Sequence, residues 1–474
     1  MMMNPRFHRA AILVACAFFV AACSGDDHTA ASSVPPTSSA SLNTEPNPTQ
    51  PPQSTEVPST SAVTTTRPER PGDWTVPLGG CPDPVMAGAP LGDTINIASV
   101  MPLTGGVAAA YVPVAEGFQL YIDVANAKAL VPGHTLELAI EDDQRNPDLT
   151  PDAVRKLLFE HADLFAGIIG TANNLAVRPL LNDACVPQLL AASGSPAWGD
   201  VARFPWTTGQ SVPYTVEAGT YVAQIRLRHP DGARVATFAV DSEFGIAFHD
   251  AFASAADVPG LDLVTDQTVA ADDPNAPTQQ VAAIADAEPD AIMAVPQGAG
   301  CGSFLKELAA AEAARPRWRP DVYLTNTCAS RLFLQFLAGD AGIGTFTSSN
   351  TVDILDPLVA DLPGMRAFNE AYTAAGLQGD RSTTSVGWTL GEITVAILDK
   401  ALESGTLSRA SIIEAARSLH FVPSLARAGV AYTMNGASDA YPFESLQVLQ
   451  WNGTTFDDVG ELVTDFEGTT SYSG

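Results

Sequence analysis

From residue 94 onward, short apolar runs alternate with longer segments of helical spacing. Thr94 to Met101 reads TINIASVM, a β-branched run that Pro102-Leu103-Thr104-Gly105-Gly106 breaks. From Val107 to Leu130 the apolar residues Val114, Phe118, Ile122 and Ala125 recur at helical spacing. TLELAIEDD predicts the next strand, Asp152 to Phe165 a helix, and AGIIGT a buried strand. Leu175 to Asp183 predicts a helix and VPQLLAAS a strand. The rhythm repeats in RVATFAVD, LDLVTDQTV, AIMAVPQ and DVYLT. Strands separated by helices make a parallel sheet covered on both faces, so two such runs predict two doubly wound α/β lobes. The closing SLQVLQWNGTTFDDV predicts a hairpin turned by Asn452-Gly453.

The N-terminus breaks this rhythm. Arg6 and Arg9 precede an uncharged apolar run from Ala10 to Ala22. That run is shorter than the ~20 residues a membrane helix needs, and its order of basic end, apolar core and small residues predicts an export signal. It ends Val20-Ala21-Ala22-Cys23, which resembles the bacterial lipobox. The resemblance implies cleavage before Cys23, a lipid on its thiol, and a signal peptide over 1–22. An ordinary cleaved signal with a chance cysteine is the alternative. Ser24 to Asp73 holds no Phe, Trp or Tyr and is dense in Ser, Thr and Pro. Such a segment buries too little apolar surface to offset its ordering entropy. Residues 23–80 are therefore expected to be the lipid anchor and a disordered tether, reaching roughly 40 Å as a coil.

About 390 residues remain after Gly80, enough for two domains and a sizeable core. The net charge of −29 argues against nucleic acid and against binding to anionic lipid headgroups. Membrane contact is expected through the anchor only. Of six cysteines, Cys16 leaves with the signal and Cys23 is the anchor. Cys81, Cys185, Cys301 and Cys328 remain, an even number for an oxidising compartment, and they allow three pairings. Their placement relative to the strands favours Cys81–Cys185 and Cys301–Cys328. Four buried free thiols are the alternative; a zinc site lacks its C-x-x-C spacing.

INIASVMPLTG, then Gly117 and Asn126 in the first helix, then LELAIEDDQRNP, resemble the type I periplasmic binding proteins. The leucine/isoleucine/valine-binding and amide-urea receptors of ABC transporters are the group they are most similar to. GIIGTANNLAVRPLLNDACVPQLLAASGS, Asp241-Ser-Glu-Phe-Gly245, FNEAY at 368–372 and SVGWTLGEITVAILDKALESG continue the likeness. The resemblance implies two lobes joined by a three-crossing hinge, with lobe one at 81–213 plus 346–430 and lobe two at 214–345 plus 431–474. It also implies an extracytoplasmic, monomeric protein that captures a small polar ligand (an amino acid, amide or small carboxylate) and delivers it to an ABC permease, without a cofactor. A ligand-sensing subunit of a signalling assembly is the alternative.

In open parallel sheets, ligands bind beyond the carboxyl ends of the strands. That rule selects Thr104, Thr171, Asn173, Asn174, Ser193, Gly194 and Ser195 in lobe one, and Phe244, Gln297, Asn326 and Thr327 in lobe two. Ser193 and Ser195 precede a helical turn, where they can hold a carboxylate or simply cap the helix. Asp142 and Asp143 end the second strand; paired carboxylates can mean acid/base chemistry or calcium, and the resemblance implies a structural position instead. Phe244 and Trp388 can line the pocket or fill the core. Gly298-Ala-Gly300-Cys-Gly302 suggests a dinucleotide loop, but Ser303 stands where the third glycine belongs. No G-x-S-x-G, S-x-x-K, H-E-x-x-H or phosphate-binding loop occurs, no metal site is expected, and the expected activity is binding without catalysis. In the receptors it resembles, an acid after the DVYLT-type strand pairs with the ligand's ammonium. Here Asn326-Thr327-Cys328 follows, so leucine, isoleucine and valine are not expected ligands unless Asp241 or Glu243 compensates.

Overall fold

The computed structural model describes residues 74–472 apart from 272 and 274. The export signal, Cys23 and the tether up to residue 73 lie outside the described residues. After a short helix α1 (Pro84–Gly88), the first sheet takes β1 (Thr94–Met101), β2 (Thr135–Asp142), β3 (Leu164–Ala166), β4 (Gln188–Ala191) and β5 (Thr207–Gly209). Helices α2 (Ala108–Lys128), α3 (Thr150–Phe159) and α4 (Thr171–Asp183) connect them. All pairings are parallel, in the order β2-β1-β3-β4-β5. The chain therefore reverses direction across the sheet between β1 and β3.

The second lobe opens with α5 (Tyr214–Arg228). β6 (Ala233–Asp241), α6 (Glu243–Ala256), β7 (Leu261–Ala270), α7 (Thr278–Ala287), β8 (Ala291–Val295), α8 (Gly300–Ala314), β9 (Asp321–Leu324) and β10 (Phe346–Ser349) follow. Helices α9 (Pro363–Ala375), α10 (Arg381–Leu402) and α11 (Arg409–Ala416) return to the first lobe. A small ribbon of β11 (His420–Phe421) and β12 (Tyr432–Thr433) precedes the closing hairpin β13 (Leu446–Trp451) and β14 (Phe456–Val463). The second sheet runs β14-β13-β10-β9-β8-β6-β7, parallel except for the hairpin. Its direction reverses between β6 and β8. Asn452 closes the hairpin through its backbone bond to Thr455 at 3.1 Å, as the Asn-Gly turn predicts.

Two sequence expectations need correction. The helix expected to reach Phe165 ends at Phe159, because Leu164 and Phe165 are fully buried strand residues that pair with β1 and β4. The return to the first lobe falls after Ser349 and not at residue 346. Phe346 pairs with Tyr323 of β9 and Gln450 of β13, so β10 is a strand of the second sheet.

Glycine sets the closest contact of the first lobe. A Cβ on Gly117 of α2 would lie 2.0 Å from the Thr384 carbonyl oxygen of α10, and one on Gly387 would lie 1.8 Å from that of Val114. Only hydrogen fits at both crossings. Asn126 ties the end of α2 to β2, donating to the Leu136 carbonyl and accepting from the Leu136 N–H, each at 2.8 Å. Disulfides join Cys81 to Cys185 and Cys301 to Cys328, the pairing that strand placement favoured.

Candidate ligand-binding cleft

A reversal of strand order leaves a crevice at the carboxyl ends of the strands on either side of it. The two lobes turn these crevices toward one cavity of about 560 Å3. In the first lobe Gly106 and Val107 reach it after β1, Ile169, Gly170 and Thr171 after β3, and Ser193 and Gly194 after β4. In the second lobe Phe244 reaches it after β6, Gln297 and Gly298 after β8, and Asn326 and Thr327 after β9.

Three hydroxyls, two from the first lobe and one from the start of α5, form a polar wall. Thr171 Oγ1 lies 2.8 Å from Ser193 Oγ and 3.3 Å from Tyr214 Oη, and Ser193 Oγ lies 3.2 Å from Tyr214 Oη. Thr171 opens α4 behind Gly170, whose φ of 102° suits glycine alone. Ser193 follows a register shift between Gln188 and Ala191. Within that shift buried Leu190 takes φ 54°, its N–H held by Thr208 Oγ1 at 3.0 Å. Tyr214 opens α5 just past the first crossing, and the sequence reading did not select it. Its position at a lobe boundary was the signal that could have found it.

On the facing wall, the side-chain amides of Gln297 and Asn326 make no hydrogen bond among the described residues, so both are free to meet a ligand. Buried Glu217 of α5 fixes Asn326 from behind. Its carboxylate accepts from the Asn326 N–H at 2.6 Å and from the Tyr221 hydroxyl at 2.8 Å. Burial pushes the Glu217 carboxyl up to about 7, and its Oε2 has no partner. A π-helical turn over Leu332–Ala338 adds Leu332, Phe333 and Leu337 to this wall. The sequence reading missed it, since an apolar run does not announce a π turn, though such turns favour functional sites.

Four of the residues selected from the sequence are taken up by the fold instead of lining the cavity. Thr104 donates its hydroxyl to Asp142 at 2.5 Å, and Asp142 also accepts from the Leu103 N–H at 2.8 Å. Asn173 donates to Asp143 at 2.8 Å, which also holds Thr150 and the Arg145 N–H. Asn174 donates to the Ile168 and Gly170 carbonyls at 2.6 and 2.8 Å. Ser195 caps a 3-10 turn through Ala197 N–H at 3.3 Å. Asn173 and Asn174 lie on the buried face of α4, together with Val177, Arg178 and Leu181, which turns both asparagines inward. Trp388 packs between Tyr121 and Phe368 in the first-lobe core, whereas Phe244 lines the cavity. Asp241 and Glu243 are exposed and lie off the cavity wall.

Among the described residues, the charged side chains of the wall are Arg145, Arg331 and Arg427 against Asp353. Arg331 pairs with Asp353 at 3.0 Å and Arg427 with Asp458 at 2.8 Å. Arg145 has no acidic partner among the described residues. Its Nη1 donates to the Tyr111 hydroxyl at 2.5 Å, and its guanidinium stands 5.4 Å from the centre of that ring.

The periplasmic binding protein family matches residues 94–455. The chain belongs to that family. Solved structures of similar fold include a fatty acid ABC transporter substrate-binding protein from Thermomonospora curvata. The two are 20% identical over 83% of this chain and 98% of that one, with a TM-score of 0.68. A branched chain amino acid ABC transporter protein from Thermus thermophilus with bound valine is 21% identical over 78% of this chain and 96% of its own, with a TM-score of 0.67. A solute binding protein from R. palustris in complex with 4-hydroxybenzoate is 19% identical over 78% and 97%, with a TM-score of 0.65. No curated protein matches the sequence. As a member of this family the chain is an extracytoplasmic binding protein for small molecules.

Proposed function

We propose that this protein is the lipid-anchored binding component of an ABC importer, which captures one small molecule between its lobes and presents it to the membrane permease. The observation that carries the reading is the cavity of about 560 Å3 walled by strand-end loops of both lobes, a size and setting typical of ligand sites. Thr171, Ser193, Gly194, Phe244, Gln297, Asn326 and Thr327 are the binding residues of this reading. The first-lobe hydroxyls receive the ligand, and the second-lobe amides complete its contacts when the cleft shuts. Contacts made in one state only supply the differential affinity that shifts an open–closed equilibrium. Cys23 carries the lipid, and the Ser/Thr/Pro segment holds the two lobes off the membrane.

A thermal-shift screen of amino acids, amides, sugars and carboxylates tests this. At 100- to 1,000-fold excess over its Kd, a true ligand stabilises the fold by roughly 3–4 kcal/mol. A stabilising ligand whose effect survives loss of Thr171, Ser193, Gln297 and Asn326 together would refute the site.

A further inference from the structure

We propose that the ligand is a hydrophobic monocarboxylate, an aliphatic or aromatic acid without an α-ammonium group, and that Arg145 holds its carboxylate. The proposal rests on the solute-binding reading above and names the ligand class of that cleft.

Charge decides the polar end. An α-amino acid brings an ammonium that needs a carboxylate once water is excluded. The one acid on the wall, Asp353, already pairs with Arg331, and its other oxygen accepts from the Leu355 N–H at 3.0 Å. A ligand anion, by contrast, finds a cation waiting. A guanidinium carries five donors in a planar fork that fits a carboxylate with two parallel bonds. Arg145 has given one of them to Tyr111 and none to an acid. The Asp143 carboxylate fixes its backbone N–H at 2.9 Å, with φ at 61°, so the loop that carries it is held in place. The hydroxyls of Thr171, Ser193 and Tyr214 lie within hydrogen-bond distance of one another and meet a ligand as a neutral cluster that brings no charge. Arg145 is therefore the wall cation whose charge no acid among the described residues answers, since Arg331 and Arg427 are both paired.

The rest of the cavity sets the body of the ligand. Val107, Val114 and Ile169 of the first lobe and Leu332, Phe333 and Leu337 of the second are among its walls. A sugar or polyamide laid on these side chains would lose water from its polar groups without gaining partners. A hydrocarbon chain or aromatic ring gains from the same burial. The cavity of about 560 Å3 leaves room for a body well beyond that of a two- or three-carbon acid.

Matched pairs differing only in charge test this by calorimetry, on the chain from Cys23 to Gly474 carrying Cys23→Ser. The pairs are 4-methylpentanoate with leucine, 3-phenylpropanoate with phenylalanine, and octanoate with octanamide. At least one acid should bind tenfold or more tightly than its amino-acid or amide partner. Arg145→Met should weaken that acid tenfold or more with an unchanged melting temperature. Arg145→Lys, which keeps the charge but not the fork, should fall between. An amino acid bound as tightly as its deaminated partner would overturn the proposal. So would unchanged acid binding by Arg145→Met, or a tight ligand of another class when no acid binds. If no small molecule of any class is bound, the solute-binding reading itself fails, and this one with it.

Discussion

Arg331 and Asp353 form an ion pair at 3.0 Å between the π-helical turn of the second lobe and the segment that has just crossed into the first. Both side chains keep only 13% of their exposure. The crossing strands lie side by side here, with Thr351 bridging to Ala426 and Val352 N–H donating to the Leu425 carbonyl at 3.0 Å. The next residue, Ile354, packs with Met365 and Leu425 in a first-lobe cluster. The pair therefore clamps the second lobe to the hinge. Asp353→Asn removes a charged hydrogen bond worth roughly 1.5–3 kcal/mol. Amide hydrogen exchange at 350–352 and 425–427 should quicken by roughly ten- to a hundredfold. Unchanged protection there would show that the pair does not hold the hinge.

Glu217 predicts a pH dependence with a definite sign. Its carboxyl titrates at about 7 in the fold against 4.5 as the ordinary value. Between those pH values the folded chain holds the proton more tightly than the unfolded one. Stability from this residue is therefore complete below about pH 4.5 and lost as pH rises through 7, by roughly 3 kcal/mol at most. Glu217→Gln keeps an acceptor for the Asn326 N–H without the charge. The melting temperature of the variant relative to the native chain should climb from pH 5 to pH 8. A flat difference would contradict a carboxyl displaced by burial.

The Cys301–Cys328 disulfide braces the two second-lobe loops that carry Gln297 and Asn326. Both sulfurs are buried, and the bridge closes 27 residues of sequence separation. A loop of that length contributes about 3–4 kcal/mol in the entropic account. The Cys301→Ser/Cys328→Ser double variant should lose about that much in denaturant unfolding and should bind ligand more weakly. Equal stability of the two proteins would contradict it.

Gly194 lies where the first crossing folds back on the hydroxyl wall. A Cβ there would stand 2.3 Å from the Val212 carbonyl oxygen and 2.7 Å from the Tyr214 ring. The backbone oxygen cannot step aside as a side chain tip does. Gly194→Ala should cost about 1–3 kcal/mol, the usual range for overpacking, and should move Tyr214 off Thr171 and Ser193. Urea unfolding with a ligand titration reads both effects. A native midpoint with native affinity would contradict the packing.

The alternation of strand and helix was legible because the central strands are buried on both faces, which makes runs such as AIMAV wholly apolar. Two short strands with neither such a run nor a clear alternation were not. β5 is three residues long, Thr207-Thr208-Gly209, and β10 reads Phe-Thr-Ser-Ser. Their hydroxyls are buried in hydrogen bonds that only the assembled sheets supply, such as Thr208 Oγ1 to the Leu190 N–H. Strand ends located the cleft, and Thr171, Ser193, Gln297 and Asn326 line it. Side-chain direction was hidden. Asn173 differs from Thr171 by two positions, yet it points to Asp143 and not to the cavity. Arg145 escaped notice because a lone arginine in a polar turn looks like a solvated charge until Tyr111 is seen beneath it.

Under the proposed function a small molecule enters between the lobes, which then close on it. Small-angle X-ray scattering of the purified chain, with and without a saturating ligand from the thermal-shift screen, tests it most directly. Closure should give a smaller radius of gyration with ligand, and no such change in a variant lacking the Gln297 and Asn326 side chains. An identical radius of gyration for the native chain at full occupancy would contradict closure.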